Sequence, residues 1–223
     1  MATFNVSKTF TWQGTFTDKV IQICRVFGLT EDCLRDKRTT HSCSVEINNG
    51  DIVCITGPSG SGKSVLLREL EKCIPPDERV NLNRISMPGD RTVVDCIEGD
   101  TYSTLRTISI AGLNDTMCVL NQPSNLSEGQ KWRFRLAVAI STGRKYIFAD
   151  EFCSNLSRIA AITISHKVWK YAKETGTTFI VAASAKDFLS DLLPDVVVIK
   201  AKYDPTQVIY KAPRAPCGDT RRG

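Results

Sequence analysis

Residues 57–64 read Gly-Pro-Ser-Gly-Ser-Gly-Lys-Ser. Gly57, Gly62, Lys63 and Ser64 fit the spacing G-x-x-x-x-G-K-[ST], and each residue type has chemistry to do at its place. The glycines allow tight backbone turns, so successive amide N–H groups can point at phosphate oxygens. A helix opening at that point adds its positive N-terminal end. Lys63 would reach the β- and γ-phosphates of a nucleotide, and the Ser64 hydroxyl would bind Mg²⁺. Pro58, Ser59, Gly60, Ser61 and Val65 complete the stretch expected to wrap the phosphates. A Gly/Ser-rich turn can match this spacing by chance. Here an apolar strand precedes it and a helix follows, which is the context the chemistry requires.

Two further segments carry polar groups at the ends of regular elements. "YIFADE", residues 146–151, is an apolar strand with Asp150 and Glu151 at its C-terminal end. Ligands of open α/β sheets gather at the C-terminal ends of strands. Asp150 is therefore placed to hold Mg²⁺ through water, and Glu151 to polarise an attacking water. "NLSEGQ", residues 125–130, opens a helix. Ser127 with Gln130 three residues on fits a capping box, and the helix N-terminus at Ser127 and Gly129 also suits an anion. The two readings are compatible. Each segment alone is a weak signal; following the phosphate loop in this order, they are a strong one.

The elements needed to position these groups can be read from the patterning. "TDKVIQICRVFGL" has helical spacing and ends before Gly28, with Phe27 on its apolar, core-facing side. "CSVEINNGDIVCITG" alternates, turns at Asn49-Gly50 and runs apolar into Gly57, predicting a hairpin whose second strand feeds the loop. "SVLLRELEKCI" is a helix stopped by Pro75-Pro76. Residues 77–100 are polar and irregular, with a strand expected at "VNLNRIS". Helices follow at "TYSTLRTISIAGL", "SEGQKWRFRLAVAIS" and "IAAITISHKVWKYAKETG", the last capped by Gly176. "TTFIVAAS" is a buried strand, and "DFLSDLL", "DVVVIK" and "TQVIYK" give a short helix and two strands. Strands alternating with helices predict an α/β fold with a mostly parallel sheet.

Composition bounds the function classes. Hydrophobic residues at 42% and charged residues at 24% are ordinary for a soluble globular protein. The net charge of +5 is mild and does not demand an anionic partner. Nine cysteines without a CxxC pair suggest neither a zinc site nor a disulfide framework, and Cys54, Cys96 and Cys118 read as small core residues. The N-terminus is too polar for a signal peptide, and no apolar run approaches the ~20 residues of a membrane span. A cytoplasmic location is expected.

The order of the three motifs resembles that of the ABC-class ATPases, whose LSGGQ-like signature corresponds here to Leu126, Ser127, Glu128, Gly129 and Gln130. The resemblance implies an α/β P-loop NTPase with a mostly parallel central sheet, an antiparallel β part near the N-terminus and a shortened helical insert. It implies ATP and Mg²⁺ as ligands. Because the signature Ser and Gly of that class contact the γ-phosphate held by the opposite subunit, it also implies an ATP-dependent head-to-tail homodimer. "VIQICRVFGL", "AGLND", "LSEGQKWRFRLAVAI", "DEF" and "LPDVVVIK" together look like a family of stand-alone ABC-class ATPases often fused to a predicted GNAT-type acetyltransferase domain. The ATP-binding domain would occupy residues 1–212, with its insert at about 77–125, leaving 213–223 as a disordered tail.

Several positions depart from the class. Lys63 and Ser127 lie only 64 positions apart, and transporter ATPases carry a longer insert there. "RISMPGDRTVVDCI" lacks the usual glutamine; Asp90 and Asp95 are candidates either to replace it or to serve as turn residues or helix caps. Leu156 is followed by Ser157 where the class places Asp. Ala185 stands where most members have a His, with Ser184 and Lys186 beside it, and the two histidines, His41 and His166, are expected elsewhere. Such losses predict slow hydrolysis. Phe10, Trp12 and Phe27 are candidates for stacking on adenine. "KWRFR", residues 131–135, could suit nucleic acid, but its helix equally allows Trp132 and Phe134 to pack inward. The expected function is a soluble ATPase acting as a switch on an unknown protein partner. The alternatives are a nucleotide-binding subunit of a membrane transporter and a non-hydrolysing scaffold.

Overall fold

A computed structural model describes residues 2–184, 189–202 and 204–211. In chain order the elements are β1 (Ala2–Thr11), α1 (Asp18–Val26), α2 (Glu31–Asp36), β2 (Arg38–Ile47), β3 (Ile52–Thr56), α3 (Lys63–Lys72), β4 (Arg79–Asn81), α4 (Thr101–Ala111), α5 (Thr116–Val119), α6 (Glu128–Ser141), β5 (Tyr146–Ala149), α7 (Arg158–Thr175), β6 (Thr178–Ala183), α8 (Leu189–Leu192), β7 (Val196–Ile199) and β8 (Gln207–Tyr210). They form a six-stranded sheet in the order β4-β5-β6-β3-β7-β8 and a two-stranded ribbon of β1 and β2. The first five strands of the large sheet are parallel, and β8 returns antiparallel to β7.

The sheet separates two apolar layers, and alternation along β3 assigns residues to them. Ile52 and Cys54 face a layer built with Trp132, Phe134 and Leu136 of α6 and Ile164 and Val168 of α7. Val53 and Ile55 face the other layer, with Leu66, Leu67 and Leu70 of α3 and Val45 and Ile47 of β2. Every residue of β3, β5 and β6 is buried, as parallel strands covered on both faces require.

The expected hairpin of β2 and β3 does not form. The turn at Asn49-Gly50 exists, but β2 pairs antiparallel with β1 along its whole length, from Ala2↔Ile47 to Thr11↔Arg38. β3 enters the middle of the large sheet between β6 and β7. The patterns explain the split: β2 buries only alternate residues, His41, Cys43, Val45 and Ile47, whereas β3 is apolar on both faces. Two other expectations change. The strand at "VNLNRIS" shrinks to Arg79–Asn81, because the Asn81 side chain accepts from the Asn83 amide and turns the chain into a 3-10 segment at Leu82–Arg84. Phe27 is not core: at the end of α1 it is 73% exposed.

Helices α4, α6 and α7 otherwise follow the sequence reading, with Asp100, Ser127 and Ser157 as N-caps and Gly176 closing α7. Cys54 and Cys118 are buried and Cys96 partly so, and every described cysteine is free. Among the described residues no helix is long and apolar enough to cross a membrane. Residues 213–223 lie outside the described residues.

Candidate nucleotide site

β3 ends at Thr56 and α3 begins at Lys63, so residues 57–62 turn across the C-terminal edge of the sheet. Two close approaches require glycine in that turn. Gly57 has φ +146°, and a Cβ there would lie 2.1 Å from the Lys200 carbonyl oxygen. Gly62 has φ +99°, and a Cβ there would lie 2.4 Å from both Cε1 and Nδ1 of His41. Lys63 is 9% exposed, and its Nζ donates to Gly57 O at 2.9 Å and Pro58 O at 3.0 Å. The cation is thus folded back onto the loop, where it can exchange carbonyl partners for phosphate oxygens.

Walls of other elements close the site. The Ser64 hydroxyl donates to Asp150 Oδ1 at 3.0 Å. Asn83, on the 3-10 turn after β4, holds the end of β5: its Oδ1 accepts from the Asp150 amide at 2.9 Å, and its Nδ2 donates to Asp150 O at 3.4 Å. Nothing in the sequence singles out Asn83, because its role depends on β4 lying beside β5. Asp150 Oδ1 also accepts from the Glu151 amide at 3.1 Å. Glu151 itself has φ +53° and is exposed, a left-handed turn just beyond the strand end. A cavity of about 340 Å³ is lined by Ser59, Lys63, Ser64, Asp150, Glu151 and His41, among others. Ser64 and Asp150 supply hard oxygen donors within one hydrogen bond of each other. One carboxylate and one hydroxyl suit Mg²⁺, which keeps waters and substrate phosphates as its remaining ligands.

His41, which does not stand at the position where the class has its His, forms part of the wall of this cavity. It is 9% exposed, its ring lies edge-on to Phe10 at 5.9 Å between centroids, and Nδ1 is buried without a hydrogen-bond partner. Burial, and after it the charge of Lys200, hold its pKa below the usual histidine value. The signal was present in the strand period: His41 is in phase with Cys43, Val45 and Ile47. Thr56 Oγ1 and Ser61 Oγ, also beside the loop, are buried and unpartnered as well.

Ser127, Gly129 and Gln130 are not brought to this cavity. The capping box forms, with the Ser127 amide donating to Gln130 Oε1 at 3.0 Å and the Gln130 amide to Ser127 Oγ at 3.4 Å. A Cβ on Gly129 would lie 3.2 Å from Asn155 O, so this turn packs on the loop that follows Glu151. Trp132 and Phe134 are buried, and Arg133 donates to Gly112 O, which leaves those rings unavailable for stacking on bases. Asp95 accepts from Thr92 and Asp90 pairs with Arg91 at the surface, so neither reaches the cavity. Ser157 caps α7. Ser184 lines the cavity, whereas Ala185 and Lys186 lie outside the described residues. Among the stacking candidates Phe10 is next to the loop through His41, while Trp12 packs on Phe16.

The model of the ABC transporter family matches residues 40–96, the segment from within β2 through the phosphate loop, α3 and β4. A post-hydrolysis dimer of an ATP-binding cassette bound to ADP and Pi has a TM-score of 0.64 at 16% identity, covering 78% of this chain and 92% of that one. The chain has the fold of an ATP-binding cassette. A nucleotide-free cassette from an ABC transporter gives 0.57 at 18% identity, covering 71% of this chain and 80% of that one. In sequence the chain is 23% identical over 206 residues to the methionine import ATP-binding protein MetN of Streptococcus agalactiae, covering 74% of this chain and 57% of the relative. It is 23% identical over 202 residues to the phosphonates import ATP-binding protein PhnC 2 of Halalkalibacterium halodurans, covering 71% and 82%. The chain therefore spans little more than half the length of the methionine import proteins it matches.

Proposed function

We propose that this cassette binds Mg-ATP at the Gly57–Ser64 loop and hydrolyses it in a head-to-tail dimer. One observation carries the reading: Lys63, Ser64, Asp150 and Glu151 converge on a single cavity. Gly57, Pro58, Ser59, Gly60, Ser61, Gly62 and Val65 complete the phosphate-binding stretch. Lys63 exchanges its backbone carbonyls for phosphate oxygens. Ser64 and Asp150 hold Mg²⁺, which neutralises charge on the phosphates when bound. Glu151 orients the attacking water. The signature turn does not line the cavity of its own chain and Ser127 is exposed, so in this reading Ser127, Gly129 and Gln130 serve the nucleotide of a second copy.

Hydrolysis in this reading is slow, because Ser157 is a helix cap where the class has a carboxylate. The relatives named above are import ATP-binding proteins, which favours a role as the nucleotide-binding subunit of a membrane transporter. The short stretch from Lys63 to Ser127 favours the second reading, a free-standing switch on a protein partner in the cytoplasm. The finer resemblance to stand-alone ATPases often joined to an acetyltransferase domain rests on the sequence motifs alone.

Calorimetric titration with Mg-ATP tests the site. The parent binds and Lys63→Ala loses most of the affinity; equal affinities would remove the assignment. Capture of partners by Glu151→Gln in ATP, from solubilised membranes and from the soluble fraction separately, decides between the two roles. A partner with several membrane spans supports the transporter, and a soluble partner supports the switch.

A further inference from the structure

We infer that His41 is a nucleotide-binding residue, whose imidazole N–H donates to the ribose–α-phosphate segment of the bound nucleotide. The inference rests on the Mg-ATP reading and adds a wall to that site. The ring sits between two features that fix the ends of such a ligand. On one side is Gly62, against which the Cε1–Nδ1 edge is pressed, within the loop that would hold the phosphates. On the other is Phe10, half-exposed and edge-on to the His41 ring, which offers a surface for the base. What lies between base and β-phosphate in a nucleotide is the ribose and the α-phosphate.

A core role does not account for the residue. Its companions on the buried face of β2 are Cys43, Val45 and Ile47, all apolar, and an imidazole at that face without a hydrogen bond is costly. A neutral imidazole carries one N–H and one lone pair, and the buried Nδ1 has no protein partner here. The surroundings suit an anion. Lys63 lines the same cavity, Lys200 is close enough to depress the protonation of His41, and Lys8 stands directly opposite in the β1–β2 ladder. The carboxylates of Asp150 and Glu151 are the counter-charges on that cavity, and Mg²⁺ would engage the first of them.

The chain has two histidines, and the other is a built-in control: His166 is exposed on α7 and stacks on Trp169. With ¹⁵N-labelled histidine, adding Mg-ADP to the full chain should shift the ring nitrogens of His41 and leave those of His166 in place; His166→Gln assigns the signals. Calorimetry supplies the second readout. His41→Leu should weaken Mg-ATP and Mg-ADP by the same factor, on the order of tenfold for one hydrogen bond to a charged acceptor, and His41→Gln, which retains an N–H, should recover most of the loss. Unshifted His41 signals under saturating Mg-ADP overturn the inference even if the leucine variant does not fold. So does unchanged affinity in His41→Leu, or a loss confined to ATP, which would place the contact at the γ-phosphate. If the parent itself fails to bind nucleotide, the Mg-ATP reading falls as well; if Lys63→Ala loses binding and His41→Leu does not, only the role of His41 falls.

Discussion

The hydroxyl of Ser64 donates to Asp150 Oδ1 across 3.0 Å, joining the first turn of α3 to the end of β5, residues 86 positions apart. That contact occupies the place where a cation would sit between hydroxyl and carboxylate. Ser64→Ala and Asp150→Asn should each leave nucleotide affinity in EDTA nearly unchanged while abolishing the gain from Mg²⁺. Titrations with and without the metal check this. Asn83→Ala, which frees the Asp150 backbone, should cost about 1–2 kcal/mol of stability in denaturant unfolding through two lost hydrogen bonds.

Gly62 tests the loop from the other side. Its positive φ and the His41 ring 2.4 Å from a Cβ both oppose a side chain. Gly62→Ala should lower stability by roughly 1–3 kcal/mol and weaken Mg-ATP binding at least tenfold. Adding His41→Ala should recover part of the stability, since it removes the clash but not the backbone strain. Thermal unfolding of the two single variants and the double variant measures that coupling.

The pH dependence of the nucleotide-free protein follows from the lowered pKa of His41. The unfolded chain protonates this histidine near its ordinary value of about 6.5, whereas the folded protein resists because burial and Lys200 disfavour the cation. Its contribution to stability is therefore complete above about pH 6.5 and is lost as pH falls from there toward the folded pKa. Between pH 7.5 and 5.5 the parent should lose more Tm than His41→Gln. Parallel curves would show that His41 is not held neutral.

The sequence displayed the phosphate loop, the strand ending in Asp150-Glu151 and the capping box at Ser127 because each is a local pattern whose chemistry and geometry share a few adjacent residues. Pairing was harder to read. The turn at Asn49-Gly50 looks the same whether its two strands stay together or part, and what separates them is that β3 needs cover on both faces while β2 needs it on one. His41 and Asn83 are joined to the site only by tertiary packing, across Gly62 and Asp150 respectively. Phe27 fits the apolar side of a helical pattern, yet α1 belongs to an excursion from the ribbon in which Cys24 is the only buried residue of that helix.

The head-to-tail dimer is the central claim, and the mass of Glu151→Gln in solution tests it most directly. In the proposed mechanism that variant lacks the carboxylate that orients water, so it would hold ATP unhydrolysed. Light scattering with saturating Mg-ATP should give twice the monomer mass, and Mg-ADP should give the monomer. Adding Ser127→Arg, which crowds the exposed signature turn, should restore the monomer in ATP. A monomer in saturating Mg-ATP, with binding confirmed in the same sample, would contradict the account.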